Sequence, residues 1–144
     1  MEKVKLQAQY GLYINGEWRD ASDGATYNAE SPADGSHLAV CAQGSREDVE
    51  AASAAAWEAF KTWKKTTPAQ RAALLNKIAD IIDANKEHLA MVESMDNGKP
   101  IRETMNVDIP MAAEHFRYFA GCILAEEGQA SVLNEQFLSI ILRE

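Results

Sequence analysis

The spacing of apolar residues changes once along this chain, near residue 44, and that change constrains its fold more than any other feature. Before it, short apolar stretches alternate with residues that favour turns, a pattern typical of strands. Beyond it, apolar residues recur at helical intervals as far as about residue 126. Hairpins of short strands need something to pack against, and the helices that follow can supply it.

Two antiparallel hairpins are predicted in the first part of the chain. In the first, Leu12–Ile14 and Glu17–Arg19 flank an Asn-Gly pair, which favours the positive φ angles of a two-residue turn. In the second, Thr26–Glu30 and His37–Ala42 are separated by a segment in which proline presets φ and glycine accepts the left-handed conformation.

Three main helices are predicted in the second part. The first begins at Ser45, which can cap a helix that carries an acidic residue three positions later. The second begins at Thr67, followed by proline, and we expect it to run to Gly98. The third is expected from about Ile109 to Glu126. The apolar stripe of the first helix comprises Val49, Ala52, Ala56, Phe60 and Trp63, and the third helix is expected to bury a stripe of Ala112, Phe116, Phe119 and Ile123.

Charge and cysteine usage restrict the partners and the compartment. The chain carries 14 lysines and arginines against 22 aspartates and glutamates, a net charge of −8 at pH 7, which argues against nucleic acid and anionic membranes as partners. It shows neither a secretory signal nor an apolar run long enough to span a membrane, so we expect a cytoplasmic protein. Cys41 and Cys122 form no CxxC motif, and both are expected to be reduced and packed in the core.

Motifs for catalysis and coenzyme binding are absent from the sequence. The 8 glycines never form GxGxxG, and Asn97–Pro100 lacks the residues of a P-loop. His37, His88 and His115 are too scattered for a metal site. Neither cysteine is expected to have the base or helix N-terminus that activates a catalytic thiol. We therefore assign no catalytic and no cofactor-binding residue to this chain.

Asp96 is the one residue at the end of the second helix that the helix itself does not explain. Gly98 can end the helix, Lys99 suits its negative pole, and Pro100 redirects the chain. A carboxylate in the last turn is unfavourable, however. Its oxygens are therefore expected either to meet a cation or to cap a neighbouring backbone segment.

Several motifs in register carry a resemblance over Tyr10–Glu144 to the N-terminal region of the NAD(P)-dependent aldehyde dehydrogenase superfamily. The segments Pro100–Thr104, Asp108–Pro110 and His115–Ala120 look most like bacterial members that oxidise acetaldehyde and other small aliphatic aldehydes. Leu124 departs from that subgroup, where a basic residue is expected. The motifs that resemble the superfamily as a whole are Tyr13–Trp18, Ser31–Gly35, Glu93–Pro100 and Phe116–Gly121.

The resemblance implies an α/β fold with short antiparallel hairpins, three main helices and a C-terminal assembly strand. Residues 1–130 would form the N-terminal part of the coenzyme-binding domain and residues 131–144 the start of the oligomerisation strand element, with the catalytic domain absent. In complete members a cysteine attacks the aldehyde, a glutamate activates water, and NAD or NADP accepts hydride. These groups come from later segments, and neither Cys41 nor Cys122 matches the catalytic cysteine. The chain alone is therefore expected to be inactive and to bind no coenzyme.

Three sets of site residues follow from the resemblance. A structural monovalent cation would be bound by Asp96 with the backbone around Ala29 and Glu30, the alternative being a capping side chain. The aldehyde entrance tunnel would be lined by Val107, Met111 and His115, the alternative being that Met111 is core. The oligomerisation strand would comprise Phe137, Leu138, Ile140, Ile141 and Leu142.

The partners implied are other aldehyde dehydrogenase subunits or the missing C-terminal part, and a small aldehyde in the complete enzyme. The terminal strand independently needs a partner, because an apolar strand with an open edge either assembles or aggregates. A second hypothesis is therefore a non-catalytic truncated module that pairs through this strand. A third, an unrelated helical scaffold, does not account for the ordered motifs.

Overall fold

A computed structural model describes residues 4–141. Its strands and helices follow the order expected from the change in apolar spacing. They are β1 (Gln9–Tyr10), β2 (Leu12–Ile14), β3 (Glu17–Arg19), β4 (Thr26–Glu30), β5 (His37–Ala42), α1 (Arg46–Trp63), α2 (Pro68–Ala84), α3 (Lys86–Asn97), α4 (Ile101–Glu103), a π-turn (Thr104–Asp108), α5 (Ile109–Leu124), β6 (Gln129–Asn134) and β7 (Phe137–Ile141). No helix among these residues is long and apolar enough to cross a membrane.

Both predicted hairpins of the first part are confirmed. Strands β2 and β3 pair antiparallel, and the turn between them places Asn15 at φ 55° and Gly16 at φ 84°. Strands β4 and β5 also pair antiparallel, with Tyr27 opposite Cys41. The parallel pairing of β1 with β5 was not predicted, and it makes β5 the centre of a sheet of order β1-β5-β4.

Helix α1 begins at the predicted cap. The Ser45 side chain accepts a hydrogen bond from the backbone N–H of Asp48, and the Asp48 carboxylate accepts one from the backbone N–H of Ser45 at 2.9 Å. The same carboxylate accepts from the backbone N–H of Ser22 at 3.1 Å, which ties the segment after β3 to the helix. The predicted apolar stripe is not a buried one, because Val49 is 63% and Trp63 44% exposed.

The second predicted helix is two helices in the structure, so the prediction that it continues unbroken to Gly98 is wrong. Asn85 adopts φ −111° and ψ 17° between α2 and α3, and its side-chain Nδ2 donates to the carbonyl of Ile81 at 2.8 Å. Asparagine ends helices in this way because its amide competes with the backbone for hydrogen bonds.

Helices α2 and α5 form the main helix packing of the described chain. The buried residues of both helices are all alanines, whose small side chains allow the two backbones to approach closely. Phe119 of the predicted stripe is 56% exposed, so that part of the prediction is wrong. Arg117 of α5 joins both Asp80 and Asp83 of α2 at 2.8 Å. We call the four buried alanines of α2 and α5 the alanine seam; they are Ala72, Ala79, Ala113 and Ala120.

The last strand differs most from its prediction. Strand β7 is not an unpartnered edge, because it pairs antiparallel with β6, a strand that was not predicted. Asn134 Oδ1 closes the turn by accepting from the backbone N–H of Phe137 at 3.1 Å. The large side chains of the hairpin are nevertheless exposed, Val132 by 77% and Phe137 by 62%. Leu142 lies outside the described residues.

Candidate functional site

A cavity of about 380 Å³ lies between the first sheet and the end of α3. It brings together two members of the predicted cation site, Asp96 and Ala29, while Glu30 is not part of its wall. Apolar side chains and one thiol form most of the remainder. The lining residues are Leu6, Tyr10, Tyr27, Ala29, Leu38, Ala39, Cys41, Val92 and Asp96.

A close contact holds the α3 end of the cavity against the turn between β4 and β5. Gly98 has φ 76°, and a β-carbon placed on it would lie 2.9 Å from Cγ of Pro32. The Ser94 hydroxyl also donates to the Lys99 carbonyl at 2.5 Å, which fixes the loop that leaves the helix. The loop after Asp96 and the turn after Glu30 are therefore packed directly on one another.

The side chain of Asp96 makes no hydrogen bond to any of residues 4–141. A capping role requires such a bond. No group of three or more His, Cys, Asp or Glu side chains that could hold a metal ion occurs in this part of the chain either. A cation at Asp96 would therefore depend on backbone carbonyl oxygens for its other ligands, as hard monovalent ions accept.

Tyr27 and Cys41 face each other across the sheet within this cavity. The pKa of Tyr27 is raised, first by its side-chain hydrogen bond with Cys41, then by the electrostatic effect of the Cys41 sulfur, by burial and by the electrostatic effect of Asp96. The Tyr27 phenol is thus an uncharged hydroxyl, and the cavity wall combines it with the Asp96 side chain. Sequence analysis missed Tyr27, although the register of the second hairpin places it opposite Cys41.

A second candidate site lies on the helix that contains the π-turn. Val107 is 41% and Met111 47% exposed, and His115 is also exposed, so the three predicted tunnel residues all lie open. Among residues 4–141 Met111 is not a core side chain. Lys99 Nζ donates to Asp108 Oδ2 at 2.6 Å beside this site, and that hydrogen bond raises the pKa of Lys99.

The two cysteines differ in their surroundings. Cys41 is half-buried in β5, whereas Cys122 is exposed on α5, so the prediction that both pack in the core is wrong for Cys122. Its neighbour one turn earlier, Tyr118, has a raised pKa because of its hydrogen bond with the Cys122 thiol.

The predicted oligomerisation residues that the structure describes lie together on the terminal hairpin. Phe137, Leu138, Ile140 and Ile141 are each more than half exposed. Together with Val132 and Leu133 of β6, they give this hairpin an apolar surface on both faces. Exposed apolar area of this kind marks a surface that contacts another protein or another part of the same protein.

The chain is similar to a known family of enzymes. The sequence pattern described as the Aldehyde dehydrogenase family matches residues 18–144. A long-chain-aldehyde dehydrogenase of Acinetobacter sp is 44% identical over 99% of this chain and 28% of its own length. An acetaldehyde dehydrogenase of Pseudomonas aeruginosa is 43% identical over 98% of this chain and also 28% of its own length. The chain thus spans about 28% of the length of these curated relatives.

Solved structures agree in fold as well as in sequence. The structure of PnpE in complex with nicotinamide adenine dinucleotide matches with a TM-score of 0.88 and 40% identity, covering 92% of this chain and 27% of that one. An NAD-dependent aldehyde dehydrogenase from Sinorhizobium meliloti matches with a TM-score of 0.86 and 33% identity, covering 94% of this chain and 28% of its own.

Proposed function

Since this chain belongs to the aldehyde dehydrogenase family, we propose that it is the N-terminal portion of an enzyme that oxidises small aliphatic aldehydes to carboxylic acids with NAD or NADP. The observation that supports this most strongly is the family match over residues 18–144. Aliphatic substrates are favoured because Val107 and Met111 present an open apolar face. Two free thiols, Cys41 and Cys122, accord with the cytoplasmic location expected from the sequence.

The chain contributes shape and support to the proposed enzyme and supplies none of its reacting groups. An apolar wall favours a hydrocarbon tail and excludes water, which selects between aldehydes by length. Val107, Met111 and His115 would form one such wall of the path by which the aldehyde reaches the nucleophile. The nucleophilic cysteine would come from the remainder of the subunit.

The residues present do not fit a nicotinamide coenzyme. The 8 glycines form no GxGxxG, and those with positive φ lie in isolated turns or at a helix end. We therefore place coenzyme binding outside this chain.

We also propose that the cavity at the end of α3 binds a structural monovalent cation. Asp96 would supply one carboxylate oxygen, and the backbone around Ala29 and Glu30 would supply carbonyl oxygens. Oxygen donors of this type suit a hard cation, and such an ion would offset the unfavourable charge of Asp96 in the last turn of its helix.

The alternative function is a non-catalytic assembly module that pairs through the terminal hairpin. The exposed Leu138 and Ile140 favour it, because an apolar hairpin with an open edge can extend a sheet in another copy. In this alternative the chain acts without the remaining three-quarters of a family subunit.

Aldehyde-dependent reduction of NAD and of NADP tests the proposal. The complete enzyme is expected to reduce one of them with acetaldehyde, and the 144-residue chain alone to reduce neither. Turnover by the chain alone would contradict the absence of a nucleophile. A complete protein that oxidises no aldehyde would contradict the proposed function, and concentration-dependent oligomers of the chain alone would then favour the assembly module.

A further inference from the structure

The helix that carries the apolar face is not regular. Helices α4 and α5 run into one another through the π-turn Thr104–Asp108, in which the backbone N–H of Ile109 donates to the carbonyl of Thr104, five residues earlier. A regular α-helix would use the residue four earlier. Single π-turns inside α-helices are rare and are frequently found at functional sites.

Pro110 supplies a physical cause for the π-turn. Proline has no backbone N–H, and in a regular helix its ring clashes with the carbonyl four residues earlier, which here belongs to Asn106. Asn106 lies inside the π-turn, whose wider ladder moves that carbonyl away from the ring. The helix therefore continues through Pro110 to Leu124 instead of breaking there.

Two contacts fasten the π-turn at its ends. Thr104 is completely buried, and its hydroxyl donates to the carbonyl of Ala90 in α3 at 2.9 Å, with the Ile101 carbonyl 3.2 Å away. At the other end Asp108 accepts a hydrogen bond from Lys99. The π-turn is thus held against α3 and the loop that follows α3.

The π-turn decides the direction in which the apolar face of the helix points. It holds one residue more than an α-turn, and each helical residue rotates the chain by about 100°. If the extra residue were absent, the helix before the π-turn would be rotated by about 100° relative to the part that carries Met111 and His115. Val107 and Met111 are four residues apart and would share a face of a regular helix too. What the extra residue changes is the direction in which this face points relative to Thr104, which is held against α3.

We propose that the π-turn sets the aldehyde chain-length preference of the complete enzyme, with Thr104 and Pro110 as positioning residues that act through Val107 and Met111. This inference rests on the proposed function. Neither positioning residue needs to touch the aldehyde, because each fixes the rotation of the helix that presents the apolar face.

The test compares kcat/KM for acetaldehyde and hexanal in the complete enzyme and four variants. Pro110→Ala removes the cause of the π-turn, and Thr104→Val removes its buried hydroxyl at nearly constant volume. We expect each to change the hexanal-to-acetaldehyde ratio about threefold or more, as a changed fit of a few methylenes does. Thr104→Ser keeps the hydroxyl and should keep the wild-type ratio of the two kcat/KM values. Pro68→Ala, which changes a proline in the first turn of α2, should leave it unchanged.

The ratio separates positioning from simple loss of folded enzyme, because loss of active protein lowers both kcat/KM values equally. A ratio unchanged in both Pro110→Ala and Thr104→Val, or an equal loss for both aldehydes, would overturn the inference and leave the proposed function intact. A wild-type enzyme that oxidises neither aldehyde would instead overturn the proposed function and the inference with it.

Discussion

Gly98 and Pro32 pack so closely that the end of α3 and the turn between β4 and β5 meet with no room for a methyl group. A β-carbon on Gly98 would lie 2.9 Å from Cγ of Pro32, and the glycine has φ 76°. Any substitution at this position would therefore lower the stability in two ways, through the strain of a positive φ and through overlap with the proline ring.

The first prediction concerns Gly98→Ala, which is expected to destabilise the chain by about 2–4 kcal/mol, from roughly 1 kcal/mol of backbone strain and about 1–3 kcal/mol of steric overlap. Gly24→Ala is the matched control, because Gly24 has φ 73° and nothing within 4 Å of its β-carbon position. Urea unfolding of both variants measures the difference. Equal losses of stability would show that the contact with Pro32 contributes nothing.

The second prediction concerns the charge on Asp96. If a monovalent cation binds there, the melting temperature should rise with K⁺ or Na⁺ relative to choline at equal ionic strength, because a ligand of the native state stabilises it. Asp96→Asn should remove that difference, whereas Glu87→Gln at the start of the same helix should keep it. A wild-type protein equally stable in all three salts would argue against the cation.

The third prediction addresses the apolar face directly. Met111→Trp in the complete enzyme should lower kcat/KM for hexanal relative to acetaldehyde by about fivefold, because the indole narrows the path for a longer tail. Leu124→Trp is the control, since Leu124 is also exposed but lies at the end of α5 on a different face. An unchanged ratio for Met111→Trp would place Met111 outside the substrate path.

The fourth prediction concerns assembly. Ile140→Lys should weaken self-association by about tenfold or more, because an unpaired ammonium group would be buried where Ile140 meets a partner. Gln136→Lys in the hairpin turn adds the same charge and should leave association unchanged. Light scattering after size exclusion at several concentrations measures this. A wild-type chain that stays monomeric throughout would contradict an assembly role for the hairpin.

The fifth prediction is a pH dependence. Hydrogen bonds from the backbone N–H groups of Ser45 and then Ser22 lower the pKa of Asp48 below its usual value. A carboxylate with a lowered folded-state pKa contributes stability that is present above its unfolded pKa and lost as pH falls through the folded one. Wild type should therefore exceed Asp48→Asn in melting temperature at pH 7, and the gap should narrow toward pH 2.

Glu47→Gln is the control for this titration, because Glu47 is the exposed neighbour of Asp48 in the first turn of α1. Its melting temperature should follow that of wild type across the range. A gap between wild type and Asp48→Asn that stays constant with pH would show that the Asp48 charge is not what stabilises the helix start.

Local chemistry allowed much of the fold to be predicted. An Asn-Gly pair specifies its turn whatever surrounds it, and the Ser45 and Thr67 caps need only residues within their own first turns. The break at Asn85 was missed because apolar spacing continues across it. The parallel partner of β5 and the strand β6 depend on pairing between distant or weakly patterned segments, which periodicity does not encode.

The candidate site, like the fold, could be predicted from the sequence only in part. The resemblance placed Asp96 and Ala29 in one site, and both line the same cavity, whereas Tyr27 could be placed there only once the strand register was known. The predicted third helix starts at about Ile109, which puts Pro110 in its first turn, where proline is common. In the structure the helical chain is continuous from Ile101 to Leu124, so Pro110 lies in its interior and requires a π-turn.

The alanine seam limits how this protein can change during evolution. Ala79 of α2 and Ala113 of α5 have no accessible surface, so a larger side chain at either position would require the packed helices to move. Because α5 also presents Met111, any such movement would shift the apolar face as a whole. In the proposed enzyme, the two alanines would therefore influence substrate preference without lining the apolar face, and α2 and α5 would have to change together during evolution.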